Sequence, residues 1–444
     1  MQASVLPAED KGPQTALPGA RVALVLLLTI NLFNYIDRQV LAAVETDIEK
    51  AFFPPDEYPR DPNTGEALDK TIEAQIGSLN TAFMASYMIF APLFGWLGDR
   101  GSRWLLVGIG VVLWTLASGA TALAPTFLIL FLTRCCVGIG EAAYGPVAPT
   151  VISDLYPVKQ RGSKLAWFYV AIPVGSALGY VLGGAVAKIM DDWRWAFYIV
   201  VPPGLALGFW CFFMKDPPRG KADAATSRHA RWADYLILLK TPSYVLNTLG
   251  MTAMTFALGG IAFWMPRYIF QVRGYSTKPE VNITFGAIVV VAGLGATILG
   301  GWVGDKLRPY YKGSYFLVSG AALLLGFPMI LLALWLPFPL AYFFIFLACF
   351  CLFFNTGPTN TVLANVTHPA VRATGFALNI FVIHALGDAV SPAIIGYVAR
   401  AWDSWNSAFI LVSSMFLVGG LLWLWGARYL ERDTALAPSR LPAE

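Results

Sequence analysis

Runs of about twenty apolar residues recur from one end of the 444-residue chain to the other, and this limits the possible folds more than any single motif. Twelve are expected to span a bilayer, at 22–44, 76–97, 104–123, 126–150, 164–188, 195–214, 243–268, 282–304, 314–336, 340–363, 374–398 and 407–428. Inside hydrocarbon each backbone donor and acceptor must be paired within the protein, so runs of this kind become helices, and the Pro and Gly within them need neighbouring helices to satisfy freed backbone groups. The balance of 57% hydrophobic to 13% charged residues agrees, since soluble domains carry about 25% charge. The expected fold class is an all-α membrane protein of twelve transmembrane helices.

With both termini placed in the cytoplasm, twenty Lys and Arg fall on the inner side and nine on the outer, with Arg38 and Arg134 inside spans. That is a positive-inside distribution. The outer segment 45–74 carries nine acids against Lys50, Arg60 and Lys70, which predicts an acidic vestibule. Before Arg21 the chain is polar and contains Pro, and no small-residue cleavage site follows the first apolar run, so no removable signal peptide is expected. Cys135, Cys136, Cys211, Cys349 and Cys351 all lie within spans and lack metal-type spacing to His. They are expected to be small core residues, and no metal site is expected.

The chain repeats itself. "GWLGDR" (95–100) closes the second span and "GWVGDK" (301–306) closes the eighth. A second set of matches keeps a constant offset of 212: Gly145-Pro146 with Gly357-Pro358, Pro157 with Pro369, Gly175 with Gly387, Trp193 with Trp405, and Ala196-Phe197 with Ala408-Phe409. The expected organisation is a cytoplasmic tail (1–21), a six-helix half (22–214), a basic cytoplasmic linker (215–240) with a short amphipathic helix near 231–240, a second six-helix half (241–428), and a cytoplasmic tail (429–444). Two like halves around a midplane cavity are a transporter architecture, in which one half rocks against the other.

The motifs carry a family resemblance. "GWLGDRGSR" (95–103), "RCCVGIGEA" (134–142) and "VGSALGYVLGG" (174–184) resemble three conserved-type motifs of the major facilitator superfamily. More narrowly, "NLFNYIDRQVLAAVETDIE" (31–49), "LTRCCVGIGEAAYGPVAPTVISDLYPVKQRG" (132–162), "FYVAIPVGSALGYVLGG" (168–184), "KDPPRG" (215–220) and "HALGDAVSP" (384–392) resemble the Spinster transporters. The resemblance implies proton-linked transport of lysophospholipid or sphingoid-type lipids, with the proton gradient as energy source and no cofactor. A bacterial inner-membrane location and a monomer without nucleic-acid partners are expected with it. Tyr180 stands where antiporters of the superfamily usually carry Pro, and the loop 45–74 is longer than the family pattern.

Ionised groups at a helix centre cost about 2.5–3.5 kcal/mol each, so they face a cavity or one another. Arg134 and Glu141 lie two helical turns apart on one face, together with Gly138, where a helix or ligand can approach closely. Asn31, Asn34 and Arg38 form an i, i+3, i+7 stripe with Asp37 beside it. Arginine stays charged, so a proton must ride on Asp37 or Glu141. These two with Arg134 are the expected coupling set, with protonation weakening the hold of both acids on Arg134; the resemblance implies the same positions. Arg38 and Arg134 are candidates for an anionic head group, and Asn34, Asn355, Thr359 and Asn360 for lining the cavity.

His384 and Asp388, at i and i+4, could form a second proton site, although a lone buried histidine is ordinarily structural. Asp99, Arg100, Arg103, Asp154, Arg161, Asp305, Lys306 and Arg372 are expected to latch a cytoplasmic gate. A membrane enzyme is disfavoured: HExxH, GxSxG and GxxxxGK[ST] do not occur, and His229, His368 and His384 fall on separate elements. A receptor built on a transporter fold, and a symporter of small organic anions using the same arginines, stay open at this level.

Overall fold

The computed structural model describes residues 15–59, 69–223, 225 and 230–441. Part of the expected N-terminal tail, Arg60 and His229 lie outside them. Among the described residues, twelve segments match the expected spans in order: α1 (Ala20–Ala43), α2 (Lys70–Arg100), α3 (Arg103–Ala122), α4 (Phe127–Leu155), α5 (Val158–Met190), α6 (Arg194–Tyr198 with Val201–Cys211), α7 (Pro242–Val272), α8 (Lys278–Leu307), α9 (Ser314–Trp335), α10 (Leu340–Val366), α11 (Pro369–Ala401) and α12 (Trp405–Leu436); shorter helical pieces lie outside them, at Glu45–Phe52 and in the linker at Trp232–Tyr235 and Leu236–Leu239. Eleven are long and apolar enough to cross a membrane. The exception, α6, was expected at 195–214 and is broken, because Pro202 and Pro203 lack the N–H groups that would bond the carbonyls of Tyr198 and Ile199.

Local sequence sets several starts. Asp69 accepts a bond from the Thr71 amide at 2.9 Å, and Thr277 and Glu280 form a reciprocal capping box at the head of α8. The Leu17 amide bonds the Leu155 carbonyl (2.9 Å), while Asp433 accepts from the Ser243 amide (2.9 Å) and Arg440 (2.8 Å). Both described ends of the chain, the 215–240 connection and the α2–α3 turn therefore share one end of the bundle, here termed the terminal end. These bonds also explain why α12 runs to Leu436, beyond the expected boundary at 428.

α1 packs on α5, α2 on α4, and α3 on α4 and α6; the second half is built from α7, α9 and α12 with α8 against α10. Between halves, α2 meets α11 and α5 meets α8 and α10. The repeat thus exchanges partners: each half presents the same two helices to the other. The contact is tight toward the terminal end. A Cβ on Gly95 would lie 2.5 Å from that of Ala377, and one on Gly301 2.4 Å from that of Ala166. Toward the far end Gly77, Gly184 and Gly286 face open space. The halves form a cleft closed at the terminal end and open at the other.

The α1–α5 contact places Asp37. Gly175 and Gly179, one turn apart, let α5 approach α1 so closely that a Cβ would come within 2.7 Å of the Leu32 carbonyl and 2.5 Å of the Ile36 carbonyl. Cys211 and Cys349 are buried as expected, but Cys136 is exposed: positions 134, 138 and 141 turn α4 inward and send 136 to the outer surface.

Candidate functional site

A cluster of ionisable and aromatic side chains lies between α1, α2 and α4. Arg38 donates from Nε to Glu141 Oε2 at 2.6 Å, with Nη2 at 2.5 Å from the same oxygen. Its guanidinium lies over the rings of Tyr35 (4.9 Å), Phe83 (4.9 Å) and Tyr87 (5.2 Å). Arg134 approaches Phe83 as well, at 5.8 Å, so this ring has both cations near it. Asp37 Oδ1 accepts a bond from the Ser118 hydroxyl of α3.

The arrangement differs from the expected one in its pairing. Glu141 is bound to Arg38, whereas Nε and Nη1 of Arg134 have no hydrogen-bond partner although the residue is 1% exposed. The reason is the approach of α2 to α4 at Gly138, where a Cβ would sit 2.3 Å from the Phe83 carbonyl. That contact slots Phe83 beside Arg134 and lets Arg38 come down from α1 onto Glu141. Glu141 Oε1, Asp37 Oδ2 and Asn34 Nδ2 are likewise buried without partners, and Asn31 bonds the Phe168 carbonyl at 2.9 Å. Arg38 retains 18% side-chain exposure and Glu141 1%, so the cation is the face of the pair that solvent reaches.

Across the cleft, His384 Nδ1 lies 2.9 Å from Asp388 Oδ1, as the i, i+4 spacing suggested. The pair occupies a π-turn that kinks α11 at Gly387, and the His384 ring meets Tyr87 edge-on at 5.9 Å, a direct contact between halves. Asn355 and Thr359 do not reach the cleft surface, and Asn360 keeps only a small exposure. Asn355 and Thr359 are fully buried, and all three bond carbonyls three or four residues back, at Leu352, Asn355 and Thr356. Short polar side chains in a helix satisfy themselves this way when no cavity reaches them.

Most of the residues expected to latch a gate lie together at the terminal end. Asp99 of α2 accepts from the amides of Ala373 (2.8 Å) and Thr374 (3.0 Å) and from the Thr374 hydroxyl (2.5 Å), so it caps α11 across the cleft. Its repeat counterpart Asp305 of α8 accepts from the Ser163 amide of α5 (2.7 Å) and from Tyr315 (2.7 Å). Asp154 is shared by Arg103, Arg372 (2.9 Å) and the Gly220 amide (3.2 Å). Arg161 reaches Asn365 at 3.1 Å. Two members go elsewhere: Arg100 bonds Tyr235 and the Ala230 carbonyl of the linker, and Lys306 lies over Trp302 at 4.6 Å.

The linker contributes residues that the sequence reading treated as connection alone. Asp223 bridges Arg161 (2.7 Å) and Arg372 (2.9 Å), one from each half. Burial by itself would raise its carboxyl, but the two guanidinium groups outweigh it and hold Asp223 below the usual carboxylate range. Asp216 pairs with Arg103 at 2.9 Å, and Arg219 donates to the Gly98 (2.9 Å) and Gly101 (2.6 Å) carbonyls. The dense alternation of acid, base and Gly in "KDPPRGKAD" was the available signal. For Tyr35 it was the i−3 spacing to Arg38; Phe83 and Tyr87, at i and i+4 on α2, reach the stripe only through helix packing.

The Major Facilitator Superfamily family model matches residues 27–392. Protein spinster homolog 1 of Rattus norvegicus is 35% identical, over 92% of this chain and 81% of its own length. Protein spinster homolog 3 of Danio rerio is 34% identical, over 96% and 89%. The chain belongs to the Spinster family of the major facilitator superfamily. It is a multi-pass membrane transporter and not an enzyme. Among solved structures, a bacterial homologue of the human lysosomal transporter Spinster, inward-facing and occupied, superposes with TM-score 0.57 at 21% identity, covering 96% of this chain and all of that one. The proton:xylose symporter XylE gives 0.73 at 15% identity, over 91% and 95%. Both confirm the twelve-helix fold expected from the apolar runs.

Proposed function

We propose that this Spinster-family chain is a proton-coupled carrier of a lysophospholipid or sphingoid-type lipid, working by alternating access between its halves, 22–214 and 241–428. The observation that carries the reading is the Arg38–Glu141 pair at the base of the open cleft. Arg38 is the solvent-reached cation, framed by three aromatic rings, and its carboxylate partner is buried. A guanidinium with one anionic partner at close range is not equally available to a second. A proton delivered to Glu141 releases Arg38 to an anionic head group, while Tyr35, Phe83 and Tyr87 offer apolar surface to the adjoining chain.

Asp37 and Arg134 sit behind this pair and belong to the same coupling set, and His384–Asp388 faces it from the other half as a second proton site. Exchange requires the terminal-end latch to open: the cross-half bonds of Asp99, Asp154, Asp223 and Arg372 must part together. The positive-inside distribution assigns this end to the cytoplasm, with both termini there, and we place the monomeric carrier in a bacterial inner membrane. No cofactor is required beyond the proton gradient.

The deciding experiment is uptake of a fluorescent lysophospholipid into proteoliposomes with and without an imposed pH gradient, for wild type and Glu141→Gln. Gradient-stimulated uptake that the substitution abolishes is the expected result. Wild-type vesicles that exclude the lipid but accumulate a soluble phosphate or carboxylate would assign the same arginines to small organic anions.

A further inference from the structure

Asp37 turns one carboxylate oxygen toward Ser118 and the other, Oδ2, into the protein with no hydrogen-bond partner. Thr115, one turn before Ser118 on α3, also has an unpartnered hydroxyl. Both residues are 3% exposed. Between them lies a cavity of about 10 Å³, lined by Phe33, Asp37, Trp114, Thr115, Val200 and Gly204. Two orphaned polar atoms and one cavity thus coincide, where α3 and α6 pack behind α1. Gly204 keeps the space open, because a Cβ there would come to 2.6 Å from Thr115 Oγ1.

The volume is close to the minimum that admits one water, and a water needs at least two polar partners, which Asp37 and Thr115 supply. The lining offers too few oxygens for a hydrated cation. The charged groups acting on Asp37 are Arg134 and Glu141 from α4 and Arg38 from its own helix. α5 presents Gly175 and Gly179 to α1, and α6 presents Val200 and Gly204 to the cavity.

We propose that this cavity holds one water bonded to Asp37 Oδ2 and the Thr115 hydroxyl, and that Oδ2 is the atom on which Asp37 carries its proton. The inference rests on the proton-coupling reading above and deepens it. Water and a threonine hydroxyl each donate and accept. The water donates to Oδ2 when Asp37 is a carboxylate and accepts from Oδ2–H when it is an acid, while the Thr115 hydroxyl turns to donate to or accept from that water, so the pocket serves both states without moving a helix. Ser118 remains a donor to Oδ1 throughout. Thr115 is a positioning residue, acting through the water on Asp37.

The test is infrared difference spectroscopy of the full chain in lipid bilayers, acid minus neutral. The acid carbonyl band of Asp37 is identified as the one lost in Asp37→Asn. Thr115→Val, which keeps shape and removes the hydroxyl, is expected to shift this band, and Thr115→Ser to leave it in place. A water O–H band that responds to heavy-oxygen water is expected to vanish in Gly204→Ala. An Asp37 band that titrates yet is identical in wild type and Thr115→Val overturns the inference and leaves proton coupling at Asp37 standing. Absence of any titrating Asp37 band overturns both.

Discussion

Asp223→Asn is the sharpest probe of the gate, because a linker residue has no reason to control access unless the bridge it makes is part of the seal. Asp223 bonds Arg161 of the first half and Arg372 of the second. When the halves part at this end, the Arg161 bond can travel with the linker and cancels between states, but the Arg372 bond, 2.9 Å long, must break. One hydrogen bond between charged groups contributes about 1.5–3 kcal/mol, or roughly 10- to 150-fold in the ratio of sealed to open. Arg372 keeps Asp154, which limits the loss to that one term. Spin labels at Lys159 and Tyr310, exposed positions on opposite halves at the terminal end, would report the distance in a Cys136→Ser background. Asp223→Asn is expected to add or enlarge a longer-distance population. A distribution identical to wild type, under conditions where Asp99→Asn lengthens it, would refute the assignment of Asp223 to the seal.

The acidity of Asp223 gives a pH expectation of definite sign. Its carboxyl is held below its unfolded value, so its contribution is complete above the ordinary carboxylate range and is lost only as pH falls through the depressed folded value. Titration of Asp223 should therefore not change the label distances at the terminal end between neutral and mildly acidic pH, and a pH-driven opening in that window that Asp223→Asn removes would contradict this. Phe83→Ala removes the ring that Arg38 and Arg134 both approach, a loss of about 0.5–2 kcal/mol; an anionic amphiphile should bind roughly 2- to 30-fold more weakly by fluorescence titration. Gly179→Val forces a branched side chain against the Ile36 carbonyl, and thermal unfolding in detergent should fall clearly below wild type. Thr359→Val should leave uptake close to wild type, since that hydroxyl bonds its own helix; a severe loss would return Thr359 to the substrate path.

Much of the fold was legible because hydrocarbon is an unforgiving solvent. Length and apolarity located all twelve segments, including the sixth, where only the break at Pro202–Pro203 separated expectation from structure. The repeated GWxGD motif pointed to two aspartates, and both Asp99 and Asp305 bond to the opposite half. Charges inside spans were equally visible, since few side chains are so costly to place there. Polar but uncharged residues were not: Asn355, Thr359 and Asn360 resembled cavity residues by type, yet each donates to a carbonyl of its own helix, so residue type alone does not fix their surroundings.

Sequence by itself determined the class of fold, its two-fold repetition and the list of charges that must find partners, because periodicity and transfer cost act on each segment separately. Which charges pair was decided only in three dimensions. Arg38 rather than Arg134 takes Glu141 because Gly138 lets α2 press Phe83 against α4, and the linker joins the two halves because Asp223 falls between two arginines, one from each. Pairing depends on the approach of helices far apart in sequence, and that approach is set by where small residues from one helix meet the backbone of another.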